Sequence, residues 1–223
     1  MSMAARDRKD FARAVRMYGT SAFWRGSPTV ITGVLFTIFS VMKVFTLHTQ
    51  FQHHALAEIV KGGSFATFLF AAVLIQNGFQ FYAIGQIGAA QAPAIPGLVQ
   101  AEARAAAFFA CLIPVGLGAL MAASGLPFHD TFFFILVNTI PALAGWYSPG
   151  PMSSQRKRLL PLILGAGLFL TFVVVSFMPE AQLWLMTRPL AVTLPGCVAL
   201  ETTLLLAVLS LPNRIYHQSS PTE

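Results

Sequence analysis

Six runs of apolar residues, at 28–47, 64–84, 105–123, 131–147, 159–177 and 189–211, constrain this chain more than any other feature. A helix needs about 20 residues to cross the hydrocarbon core of a bilayer, and these runs are close to that length. Lipid offers backbone N–H and C=O groups no partner, so a spanning segment is a helix or a strand of a closed barrel. Barrel strands alternate apolar and polar residues over about ten positions, whereas these runs are apolar throughout. The sequence therefore predicts an all-α, polytopic membrane protein with six transmembrane helices. Composition agrees: 10% of residues are charged and 56% hydrophobic, against about 25% charged in soluble domains. The fourth run is the shortest and contains Pro141; only "SGLPFHD" separates it from the third, which predicts a tight helical hairpin.

The charged residues set an orientation. With the N-terminus inside, the inner segments hold Arg6, Arg8, Lys9, Arg13, Arg16, Arg25, Arg104, Arg156, Lys157, Arg158 and Arg214, while the outer loops hold Lys61 and Arg188. Eleven against two is a strong positive-inside bias, and an even number of spans returns the C-terminus to the same side. The net charge of +6 thus reads as membrane orientation, and no nucleic-acid partner is expected. Three regions follow: a cytoplasmic amphipathic segment at 1–27, a transmembrane domain at 28–211 and a short cytoplasmic tail at 212–223. The first 25 residues lack the apolar stretch of a cleavable signal, so the first span is expected to stay in the mature protein. Within them Phe11, Ala14, Val15, Tyr18 and Ala22 share one helical face and Lys9, Arg13 and Arg16 the opposite one. That pattern predicts an interfacial helix in the inner headgroup layer, followed by Trp24 as an interfacial aromatic.

Polar groups inside the spans are costly and mark the candidate site. Glu201 lies near the centre of the last run, in "PGCVALETTLLLAVL". Apolar surroundings favour its neutral form, and either a substrate or proton path or a packing role accounts for it. A stripe of small residues, Gly196, Ala199, Thr203 and Ala207, is expected to pack against another helix. In the second run, "LIQNGFQFY" places Gln76, Asn77 and Gln80 within one sector of the helix. Three amides on that sector should meet protein or water, and Asn138 in the fourth run adds a weaker signal. Four of the five histidines, His48, His53, His54 and His129, fall in the outer loops. They are candidate metal ligands, but their spacing matches no firm metal motif. Cys111 and Cys197 both lie in apolar runs and read as packing residues. The sequence holds no P-loop, no H-E-x-x-H and no G-x-S-x-G nucleophile setting, so neither ATP binding nor a catalytic site of its own is expected.

The plan as a whole resembles the membrane subunit of an ABC-2-type transporter: about this length, an N-terminal interfacial helix, six spans and both ends cytoplasmic. The resemblance implies a transport subunit of the cell inner (plasma) membrane, driven by a separate cytoplasmic ATPase and working as a homodimer or with a paired permease. It also implies that the segment between spans two and three, "GQIGAAQAPAIPGLVQAEARA", touches that ATPase, with Gln91, Gln100, Glu102 and Arg104 as contacts. Pro96 is placed to open a helix that runs through Glu102 and Arg104 into span three. Substrate-path residues would be Gln76, Asn77, Gln80, Asn138 and Glu201, with no cofactor in this chain and membrane lipid as the surrounding partner. A different class also fits: a membrane-anchored metal- or haem-binding or assembly protein, or an accessory subunit of a membrane complex.

Overall fold

The computed structural model describes residues 3–50, 60, 63–89, 97–124, 131–147 and 155–216, and among these every regular element is a helix. In chain order they are α1 (Met3–Met17), α2 (Ser21–Gly26), α3 (Pro28–Gln50), α4 (Ser64–Ile87), α5 (Leu98–Ala123), α6 (Thr131–Tyr147), α7 (Gln155–Phe177), α8 (Pro179–Met186), α9 (Leu190–Leu209) and α10 (Leu211–Tyr216). Each apolar run of the sequence falls on one of α3 to α7 or α9. Helices α3, α4, α5 and α9 are long and apolar enough to cross a membrane. Helix α7 reaches that standard together with α8, across a 93° bend. Helix α6, with 17 residues, spans roughly 25 Å at 1.5 Å per residue, short of the ~30 Å core. Four helices, or five with the bent pair, therefore qualify as spans. Leu35, Phe39 and Met42 of α3, Leu170 of α7 and Leu206 of α9 point outward, a surface suited to lipid rather than water.

Two apolar clusters hold the bundle. One centres on Phe65, Phe68, Phe133 and Met121. The other is rich in alanine, with Ala83, Ala103, Ala106 and Ala107 together with Leu204 and Val208, so α5 comes close to both α4 and α9. Helix α3 packs chiefly on α4. Its buried row is Val30, Gly33, Thr37, Ser40 and Val44, small residues for the most part. At Gly33 an added Cβ would lie 2.8 Å from the Ala71 carbonyl oxygen, and at Gly78 it would meet the Val30 side chain. The backbones touch at Gly33, and at Gly78 the missing side chain leaves room for those of Val30 and Thr29.

The α5 helix begins at Leu98 and includes Glu102 and Arg104, as the sequence predicts. It also runs unbroken through Pro114. A proline has no N–H to give the carbonyl four residues back, here that of Ala110. The Gln76 side chain of α4 replaces the missing donor, with Nε2 donating to the Ala110 carbonyl at 3.1 Å. This is how a proline is tolerated where no water can reach the freed oxygen.

The amphipathic α1 differs from expectation in what covers its apolar face. Ala14 and Tyr18 are buried, and Phe11 and Val15 partly buried, against Ala101 and Ala105 of α5 and the rings of Phe79, Tyr82 and Phe109. Tyr18 stacks on Phe79 with centroids 5.5 Å apart, and Phe11 meets Phe108 edge-on at 6.3 Å. Thr20 accepts from the Phe23 N–H and so caps α2, turning the chain so that Phe23 enters the same aromatic group. Burial, then the nearby Glu102 carboxyl and Tyr82, raise the Tyr18 phenol above its ordinary range. Ala22 stays exposed. The face expected against headgroups is thus largely occupied by the bundle itself. Replacing Phe11, Val15 and Tyr18 together by Asp should release α1 even in detergent. Protease cleavage within residues 3–17 should then speed up at least tenfold without lipid present, a change of about 1.4 kcal/mol in opening free energy. Equal cleavage rates for the variant and the parent in detergent would leave only the lipid surface to hold α1.

Candidate functional site

The polar residues inside the bundle converge at one height. Ala110 and Cys111 lie at the middle of α5. Gln76, Asn138 with Thr139, and Glu201 lie at the middle of α4, α6 and α9. Gln76 reaches the Ala110 carbonyl, and the Cys111 thiol points at the Glu201 carbonyl, 3.9 Å away. Four helices therefore contribute to a single polar layer halfway along the bundle.

Glu201 is half-buried in this layer and meets Thr139, whose Oγ1 lies 2.8 Å from Glu201 Oε1 and 2.7 Å from the Ile135 carbonyl oxygen. A hydroxyl has one hydrogen. Thr139 therefore gives its hydrogen to one of two acceptors, Glu201 Oε1 or the Ile135 carbonyl. The second oxygen, Oε2, is buried with no hydrogen-bond partner. Neighbouring Asn138 is fully buried, and neither its amide nitrogen nor its oxygen is hydrogen-bonded; Gln76 Oε1 is likewise unpaired. Each such group costs about 1–3 kcal/mol relative to a satisfied one. The layer has far more hydrogen-bonding capacity than its own packing uses.

Of the expected path residues, Gln76, Asn138 and Glu201 lie near the middle of their helices, and Glu201 touches Thr139, the neighbour of Asn138. Gln80 is buried one turn along α4, and its amide fills the space that Gly145 of α6 leaves by having no side chain. Asn77 is only partly buried, at the flank of the amide sector. The small-residue stripe of α9 is divided: Gly196 faces Leu136 and Ala207 is buried, while Ala199 and Thr203 are exposed. Close packing runs instead along Cys197, Leu204 and Val208, on the acid's own side. Cys197 is buried, with its thiol donating to the Phe132 carbonyl at 3.3 Å, and both cysteines are free.

Of the four residues expected to meet an ATPase, three are described, and these do not share one surface. Gln100 and Arg104 are exposed, and Arg104 approaches Asp7 of α1 at 3.9 Å; such an exposed pair adds little stability. Glu102 is fully buried beneath Tyr18, with both carboxyl oxygens unpaired, so in this chain its side chain offers no outward contact. Its separation from Cys111 is two and a half helical turns, which puts it on the opposite side of α5 from that thiol. Gln91, His53, His54 and His129 lie outside the described residues, and of His48 the structure describes only the helical backbone. Among the described residues no group of His, Cys, Asp and Glu is arranged to hold a metal ion.

Sequence reasoning missed Thr139 and Cys111. A threonine inside an apolar helix ordinarily bonds the carbonyl one turn back, as Thr139 also does, and gives no signal of a second partner. Comparison of the chain with protein-family models, with characterised proteins and with solved structures returns no match.

Proposed function

We propose that this chain is a transport subunit of the cell inner membrane, moving a polar substrate through the layer formed by Gln76, Asn138, Thr139 and Glu201. The observation that carries the reading is the unused hydrogen-bonding capacity at mid-bundle. A packing role does not account for it, because unpaired buried groups destabilise. A path needs such groups, since a passing substrate exchanges its hydration for them. Polar residues within membrane helices serve such pathways by default. In this reading α3, α4, α5, α6, α7 and α9 are six spans, with α6 short enough to thin the bilayer locally. Both termini are cytoplasmic by the distribution of Lys and Arg. Energy comes from a separate ATPase, as the ABC-2 resemblance implies, and a second copy or a paired permease completes the transporter.

Two measurements test this reading. Purification in mild detergent should bring a nucleotide-binding subunit with the chain, and ATP hydrolysis should follow that complex. A preparation without any such subunit that still moves substrate in nucleotide-free vesicles would remove the ATPase from the account. For orientation, cysteines introduced at positions 53 and 127 should react with an impermeant thiol reagent in intact cells, and one at position 155 should not. Labelling at 155 would invert the topology.

A further inference from the structure

At the far end of α7 the chain breaks at Met178 and turns through 93° into α8. The turn is built in. Pro179 opens α8, and Gln182 reaches back to donate from Nε2 to the Ser176 carbonyl at 2.6 Å, occupying an acceptor at the end of α7. Gln182 and Met186 are buried, and Leu183 and Leu185 pack against the bundle core. Glu180 and Trp184, one turn apart, face outward, with Trp184 58% exposed. A short helix lying across the end of a membrane bundle, with an exposed indole, is suited to the headgroup layer.

Arg188 follows α8. Its Nε donates to the Trp184 carbonyl at 3.0 Å, and its guanidinium lies over the Trp184 ring, 4.2 Å from the centroid. The position of the cation is thereby set before any ligand arrives. Among the described residues no carboxylate pairs with it. The remaining guanidinium N–H groups form the planar fork that matches a phosphate.

We propose that Arg188, held over the Trp184 ring, binds the phosphate of a phospholipid headgroup and so fixes α8 in the headgroup layer. The reading depends on the membrane setting and not on the transport proposal. The apolar side of α8 is already used by the core, so the anchor is the indole and the cation rather than a buried face. Two charges of opposite sign flank Trp184, and the cation is the one that lies over its ring.

The test uses the full-length protein. In vesicles of phosphatidylcholine and phosphatidylglycerol, bromines near the glycerol end of the acyl chains should quench the Trp184 signal more than bromines near the terminal methyl. That signal is the difference between the parent and Trp184→Phe. In intact-protein mass spectrometry from detergent, the parent should retain phosphatidylglycerol. Arg188→Gln should weaken that retention about tenfold, as expected for loss of one charge-assisted contact, and Arg188→Lys should keep part of it. Added inorganic phosphate should not displace the lipid. Three outcomes overturn the proposal: unchanged retention in Arg188→Gln, deeper quenching at the methyl end, or displacement by free phosphate, which would make the ligand a soluble anion. Should Arg188→Gln fail to fold, the quenching profile of the parent against Trp184→Phe decides.

Discussion

Glu201→Gln should leave the protein folded and reduce transport to background. The glutamine side chain has the same shape as the acid and can accept from Thr139 Oγ1 through the oxygen it retains, as Glu201 Oε1 does, while its amide nitrogen takes the place of Oε2, which has no partner. Stability should therefore stay within about 1 kcal/mol of the parent. The amide carries no exchangeable acid proton and cannot become an anion, so any step that needs a proton or a charge at Glu201 stops. Glu201→Leu makes the contrast sharper. It removes one hydrogen bond, worth about 0.5–1.5 kcal/mol, together with a buried unpaired oxygen that costs about 1–3 kcal/mol. The balance favours leucine or is neutral, so thermal unfolding in detergent should hold steady or rise while transport is lost. Both variants are read by unfolding temperature and by uptake or ATP turnover of the assembled complex. Full transport in Glu201→Gln would take the acid out of the path, and a drop of several degrees in Glu201→Leu would make it a packing residue.

The helices were legible because lipid imposes one rule on every backbone group, and a long apolar run satisfies it in only one way; the number of spans was not, since four helices, or five with the bent pair, are long and apolar enough. All six runs lie on helices, and the helix through Glu102 and Arg104 was visible from Pro96 onward. What escaped sequence reading depends on pairing between distant residues. The amphipathic pattern of α1 is the same whether its apolar face meets lipid or α5, and only the aromatic group around Tyr18 distinguishes them. Gln76 looked like a path residue, and half of its amide in fact replaces the donor that Pro114 removes. Pro114 and Gln76 are 38 positions apart in the chain, a distance over which periodicity carries no information. The α8 helix was hidden for another reason. At eight residues it is too short for a span, and its break from α7 looked like an outer loop. In the candidate site, the acid and the amides could be named from the cost of polar groups in lipid, but their common height could not.

Gly33→Leu should prevent α3 from seating on α4. Even alanine is informative, because two effects oppose each other. In a helix interior, Gly→Ala ordinarily stabilises by about 1 kcal/mol. At Gly33 the added Cβ would lie 2.8 Å from the Ala71 carbonyl oxygen and 3.0 Å from the Ile75 nitrogen, both backbone atoms, and 2.7 Å from Ile75 Cγ1. A side chain can rotate away, but a helix backbone moves only with the whole helix, so overpacking at about 1–3 kcal/mol should exceed the propensity gain. Gly33→Ala should lower the unfolding temperature, and Ile75→Ala should not restore it, because Ala71 and the backbone remain. Gly78 behaves differently: the nearest obstacle to its Cβ is the Val30 side chain, followed by Thr29 Oγ1 at 2.9 Å. Gly78→Ala should therefore be largely rescued by Val30→Ala, a coupling that a double-mutant cycle would report as a sizeable interaction energy. The two cycles together locate the contact: no rescue at Gly33 and rescue at Gly78 follow only if α3 and α4 touch backbone to backbone at the first and through one side chain at the second. Parent-like unfolding of Gly33→Leu would mean that α3 does not lie against α4 at this height.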